Sequence, residues 1–199
     1  MSKSTMKREL ILERAEQVFI RRGFHNVTMK DIIEECAISR GGIYLYFSSV
    51  DEIFTEVIKR HNQAKLDQIK LDTKANGQSI SFSALLDNYF ETQRCRLLNM
   101  DHSLMLAQYE FFFAHRNEYD KNYFFSAFHN SKDIVFELLN YGVETGCLTG
   151  QNIDTLAETV MFLIEGLGIL AMSCGVTEEL LDRQFAFIKK AIFTQCVEQ

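Results

Sequence analysis

Apolar residues recur every three to four positions along most of this chain, and there are no strand-like alternating runs with hairpin turns. That period predicts helices rather than strands. Leu10, Ile11, Ala15, Val18 and Phe19 mark one amphipathic helix running to Arg21-Arg22. Gly23 is placed for a left-handed C-cap, with Phe24 folding back on the last turn. Thr28 followed three residues later by Asp31 is a capping-box start for a second helix. On it Met29, Ile32, Ile33 and Cys36 take the i, i+3, i+4, i+7 spacing of a buried face. Ala37, Ile38 and Ser39 make the connection, with Ser39 placed to cap a third helix from Arg40. Ile43 and Phe47 share its packing side.

Beyond Phe47 the same period predicts a helix from Asp51 to about Lys70, broken over Thr73 to Ser79 by Asn76-Gly77. Further helices are predicted over Ser81 to Leu98, Ser103 to His115, Glu118 to Glu144, Asp154 to Ser173 and Thr177 to Val197. No internal repeat is evident. The expected fold is all-α, with about nine helices. Residues 1–50 form an N-terminal three-helix bundle with a helix-turn-helix, and residues 51–199 a larger helical domain.

Composition sharpens this reading. The 199 residues contain no proline, which favours long helices joined by short polar turns. Residues 1–47 carry eight Lys/Arg against six Asp/Glu, and residues 48–199 carry thirteen against twenty-one. An acidic chain thus concentrates its positive charge in the helix-turn-helix, as a localised nucleic-acid footprint requires. The five cysteines (Cys36, Cys95, Cys147, Cys174 and Cys196) are odd in number and widely spaced, which suits free thiols in a reducing cytoplasm. The N-terminus is too polar for a signal peptide.

The third helix is unusual. Gly41 and Gly42 in its first turn together cost about 1–2 kcal/mol relative to alanine. Glycine does allow close approach by another backbone. Arg40 and Tyr44, four residues apart, share one face. Arginine bonds guanine edges or phosphates, and a tyrosine hydroxyl reaches phosphate while its ring covers sugar or a thymine methyl.

The stretch AEQVFIRRGFHNVTMKDIIEECAISRGGIYLYFSSVDEIF resembles the DNA-binding domain of the tetracycline-repressor (TetR) family of bacterial transcription regulators. The shared pattern is aromatic-x-x-x-Gly-aromatic, Thr-x-x-x-Ile, small-hydrophobic-Ser, hydrophobic-Tyr-x-x-Phe, then acidic-acidic-hydrophobic. It covers about a quarter of the chain. The resemblance implies a cytoplasmic, homodimeric regulator of bacterial origin, most often a repressor. Such a protein is released from a palindromic double-stranded operator by a small-molecule effector. It implies DNA contacts by Thr28, Met29, Ser39, Arg40, Gly41, Gly42, Tyr44 and Tyr46. Two positions depart from the family pattern. Val50 stands where a phosphate-contacting lysine is usual, and Ala37 where glycine is common in the inter-helix turn.

In the larger domain, residues 82–141 hold 14 of the 24 aromatics. Phe111-Phe112-Phe113 sweep through roughly 200° of a helix, so at least one must leave the core stripe. Tyr89, Gln108, Glu110, Phe111, Phe112 and Phe128 are candidates for lining an effector site. The acidic balance leans toward a cationic effector. The run VMFLIEGLGILA at 160–171 is shorter than a membrane span and carries Glu165, which argues against a membrane helix. The resemblance places the last two helices in a dimer bundle, with Leu163, Gly166, Leu167, Leu170, Phe185 and Ile188 as its candidates.

No nucleophile elbow, phosphate-binding glycine loop or zinc motif is present, and the five histidines lack metal-ligand spacing. No catalytic residue, metal or cofactor is expected. The alternative is a helical protein-interaction module, or an enzyme on a related fold, that has lost DNA binding.

Overall fold

A computed structural model describes residues 3–74, 80–116 and 121–194, with the side chains of residue 74 and of residues 121–124 outside the description. Among the described residues there are nine α-helices, one 3₁₀ turn and no strand. They are α1 Lys3–Arg22, α2 Met29–Cys36, α3 Arg40–Tyr44, α4 Val50–Lys74, α5 Phe82–Leu98, α6 Leu104–His115, α7 Lys121–Glu144, α8 Ile153–Cys174 and α9 Glu178–Phe193. The expected all-α architecture is observed. The short turn at Met100–His102 was not anticipated. The Asn76-Gly77 break, the Glu118 start, the Val197 end, Tyr119, the side chains of Tyr123 and Phe124, and Cys196 lie outside the described residues.

Helix starts follow their side chains. Ser81, Ser103 and Thr177 each accept a backbone N–H three residues on, opening α5, α6 and α9.

The chain divides into two compact units. The first comprises the described residues of 1–61 and 100–119, so it gathers α1 to α3, the first half of α4, and α6. Its extent differs from a division at residue 50. The cause is that α6 packs on α1, adding Phe111 to a core of Ile11, Leu12, Phe19, Ile32, Ile43, Phe47 and Phe54. Arg8–Glu56 at 2.6 Å and Arg60–Glu16 at 3.1 Å pair α4 with α1, and His61 Nδ1 lies 2.7 Å from Glu16 Oε1.

The second unit comprises the described residues of 62–99 and 120–199. There α5 packs against α7, α8 and α9, and α7 against α8. Phe90 meets Phe185 at 5.0 Å between ring centroids. Two clamps join α5 to α9: Arg94 with Asp182, and Lys189 with Asp87 at 2.6 Å. Lys132 of α7 is buried and reaches Asp154 of α8 at 2.6 Å. By length and composition α8 could cross a membrane, but Ala157, Val160, Met161, Ile164 and Leu167 pack within this unit.

Candidate nucleic-acid interface

The interface is built from the turn before α2 to the first turn of α4. At α2 the full capping box forms. Thr28 Oγ1 accepts from Asp31 N at 3.4 Å, and Thr28 N donates to Asp31 Oδ2 at 2.8 Å. Thr28 Oγ1 also donates to Asp31 Oδ2 at 2.5 Å, and Arg22 pairs with Oδ1. The bonds from Thr28, helped by Arg22, hold the Asp31 carboxyl below the usual carboxylate range. Arg21 pairs with Glu35 at 2.5 Å and Lys30 with Glu34 at 3.8 Å. Much of the local positive charge is therefore already neutralised within the unit.

The link from α2 to α3 is tight. Ala37 adopts a left-handed conformation with φ 50°, and its N–H caps Glu34 and Ile33 carbonyls. A glycine would take this conformation without the Cβ penalty. Ser39 Oγ then accepts from Gly42 N at 3.1 Å and starts α3. Both Thr28 and Ser39, expected to touch phosphate, first serve as caps. Met29 is half-buried.

Ile43 of α3 and Phe47, three residues past its end, are buried, as their spacing predicts. Arg40 and Gly41 are exposed, Tyr44 is 44% exposed and Tyr46 half-buried. The Arg40 guanidinium lies 5.9 Å from the Tyr44 ring centroid, so the two side chains form one surface as expected. The two glycines differ. A Cβ on Gly41 would meet nothing within 4 Å, whereas one on Gly42 would sit 2.9 Å from Ile38 Cγ1 and 3.0 Å from Ser39 Oγ. Gly42 fits the turn; Gly41 leaves space that the protein itself does not fill.

Leu45, absent from the expected contacts, is 82% exposed beside them. Its place opposite Ile43 and Phe47 on a helical wheel was the signal that could have found it. Val50 opens α4 half-buried, after Ser49 Oγ accepts from Glu52 N at 3.1 Å. Bonds from Ser48 N and Oγ, both at 2.7 Å, lower the Glu52 carboxyl.

The residues expected to line an effector site do not share one unit. Gln108, Glu110, Phe111 and Phe112 lie on α6 in the first unit, and Tyr89 and Phe128 in the second. Glu110 serves the corner between α1 and α2. Its Oε2 accepts from Phe24 N at 2.5 Å and His25 N at 3.1 Å. Phe111 is fully buried, 5.0 Å from both Phe24 and Phe54, so it is core. Phe113 is the member of the triple that leaves the core, at 58% exposure.

Of the expected dimer residues, Leu167, Phe185 and Ile188 are buried inside their own unit, where α5 packs against both α8 and α9. Leu163 is half-buried, while Gly166 and Leu170 are exposed. Phe162, Ile169 and Phe187 are exposed apolar residues of the same two helices that the sequence reading missed.

Residues 11–57 match the pattern of bacterial regulatory proteins of the tetR family, and residues 85–180 match a tetracyclin repressor-like C-terminal domain. An HTH-type transcriptional regulator of Bacillus subtilis, YfiR, is 35% identical over 176 residues, covering 86% of this chain and 82% of its own. The crystal structure of reduced Escherichia coli NemR superposes with a TM-score of 0.68 at 18% identity, covering 93% of this chain and 97% of that one. A regulator from Saccharomonospora viridis in complex with choline gives 0.66 at 22%, covering 98% and 100%. Paired with a capped helix-turn-helix, these matches establish that the chain belongs to the tetR family of bacterial regulatory proteins, which are DNA-binding transcription factors and not enzymes.

Proposed function

We propose that this regulator is a cytoplasmic homodimer that represses transcription at a palindromic operator until a small-molecule effector binds its larger unit. The observation that carries the reading is the exposed α3 surface. Arg40 and Tyr44 form one face beside a glycine whose open side the fold leaves empty. Arg40 contacts a base edge or phosphate, Gly41 permits close approach, and Tyr44 packs on the sugar-phosphate backbone. Val50 supplies no charge, so binding is expected to show a salt slope about one unit shallower than with lysine there.

Two-fold pairing is supported by the apolar surface of α8 and α9. Phe162 is 65% and Phe187 72% exposed, and no atom lies within 4 Å of a Cβ built on Gly166. Burying such a face between two copies removes an apolar patch from water. A dimer presents two recognition helices about 34 Å apart, one turn of DNA. Phe187→Glu is expected to shift the protein from dimer to monomer in sedimentation.

For the effector, Tyr89 of α5 is half-buried, and burial pushes its phenol well above the ordinary range, with Arg96 opposing and Glu165 adding. The acidic balance of the chain favours a cation, the class of the choline in the S. viridis neighbour. An effector acts only through different affinity for the DNA-competent and released arrangements.

The test is a gel-shift titration of DNA flanking the protein's own gene, repeated with choline, larger lipophilic cations and neutral lipophiles. A specific retarded band abolished by one of these is the expected result. A specific band that no saturating ligand alters would refute effector release, and no specific band would refute operator binding there.

A further inference from the structure

Ile43 of α3 and Phe47 just beyond it fix the buried side, and Phe47 N donates to Ile43 O at 3.1 Å, which carries the helical repeat to that position. At about 100° per residue, the direction opposite their midpoint falls on Leu45. The backbone stays right-handed through Leu45, at φ −70° and ψ −18°, so the wheel holds to that position. Arg40 and Tyr44 both lie to one side of this pole, about 140° and about 100° from it. Nearest to it are Gly41 and Gly42, which add no side chain. Leu45 therefore stands as a single apolar knob with open ground on its Gly41 side. It is the most exposed of the large apolar side chains among the described residues, at 82%.

One exposed leucine is ordinary on a protein surface. Its place at the outward pole of a recognition helix is not, because such a helix lies in the major groove, where its unburied side can meet base edges. Base edges there are donors and acceptors, with one exception, the C5-methyl of thymine. A leucine pressed on any other edge would strip water from a polar group and return no hydrogen bond. A leucine pressed on thymine buries methyl against methyl. The same side chain thus favours one base and penalises the other three, which is how specificity arises.

We propose that Leu45 is a specificity-determining residue that reads a thymine methyl in each operator half-site, an inference that rests on operator binding through α3. Arg40 and Tyr44 hold register at its side while Leu45 discriminates. Substitution of Leu45 leaves the fold intact, because the side chain contributes almost nothing to the core.

The experiment selects binding sites from a random duplex pool with the full-length protein and with Leu45→Ala. Each thymine of the wild-type consensus is then replaced singly by deoxyuridine, which deletes only the methyl. Anisotropy titrations of both proteins follow, with thermal unfolding as a check on folding. In the expected result, one thymine per half-site loses about 3–10-fold affinity for wild type on losing its methyl, and Leu45→Ala shows no loss there. The Leu45→Ala pool should be degenerate at that position. Wild type indifferent to every deoxyuridine, or an equal penalty in Leu45→Ala, would overturn the proposal. A wild-type pool that never converges would overturn the operator reading on which it rests.

Discussion

The α1–α2 corner and the recognition helix each depend on a glycine, for opposite reasons. At the corner, Gly23 sits at φ +71°, and a Cβ there would lie 2.5 Å from the Glu110 carboxylate. Its N–H caps Phe19 O at 2.9 Å, and the next two N–H groups, of Phe24 and His25, are taken by Glu110. Consecutive N–H groups after a left-handed residue form an anion-binding concavity, and here the anion is the protein's own side chain. At α3, Gly41 meets nothing within 4 Å of its missing Cβ. The contrast separates two uses of glycine. Where the chain fills the vacated space, glycine serves the fold; where nothing fills it, a helix-weakening residue points to a partner outside.

The largest effect that would test this contrast is Gly23→Ala. Left-handed strain of about 1–2 kcal/mol adds to the loss of charge-assisted bonds worth about 1.5–3 kcal/mol. Chemical denaturation should therefore show a loss of about 3 kcal/mol, and an unchanged midpoint would mean the corner does not depend on Glu110. Gly41→Ala should do the reverse. It gains about 1 kcal/mol of stability by helix propensity while weakening operator binding, a split that unfolding and anisotropy measured together would reveal. Ala37→Gly relieves the φ 50° alanine and should raise stability by up to about 1 kcal/mol, less the backbone entropy of glycine.

A smaller effect concerns pH. The Asp31 and Glu52 carboxyls both lie below their ordinary values in the folded state, held by hydrogen bonds from Thr28 and from Ser48 respectively. A lowered folded value means that their contribution is full above about pH 4 and is lost as pH falls through the folded values. Asp31→Asn should flatten part of that acid limb in a thermal-unfolding series, and an acid limb identical to wild type would contradict the capping role.

Local features of this molecule were legible in its sequence, and distant partnerships were not. The Thr28–Asp31 box, the Gly23 cap, the Ser39 cap and the buried pair Ile43 and Phe47 involve residues within a few positions of each other, so spacing reveals them. Glu110 is another matter. It is polar, on an aromatic helix, and its partners Phe24 and His25 lie 86 and 85 residues away, so no periodicity could connect them. Phe185 and Ile188 failed differently. An apolar stripe states that a face is buried, not what buries it, and here the protomer's own helices do so. Leu45 was within reach, since its position opposite the core pair needs only the helical repeat.

The recognition surface is tested most directly by titrating wild type and Arg40→Ala against the selected operator and against unrelated duplex at one fixed salt concentration. Arg40 is exposed and its guanidinium rests on Tyr44, so the variant should fold as wild type does. The expected result is a loss of about 1–3 kcal/mol, roughly 5- to 150-fold, on the operator, with a much smaller change on unrelated DNA. Equal operator affinity for the two proteins would contradict the assignment of this face to DNA.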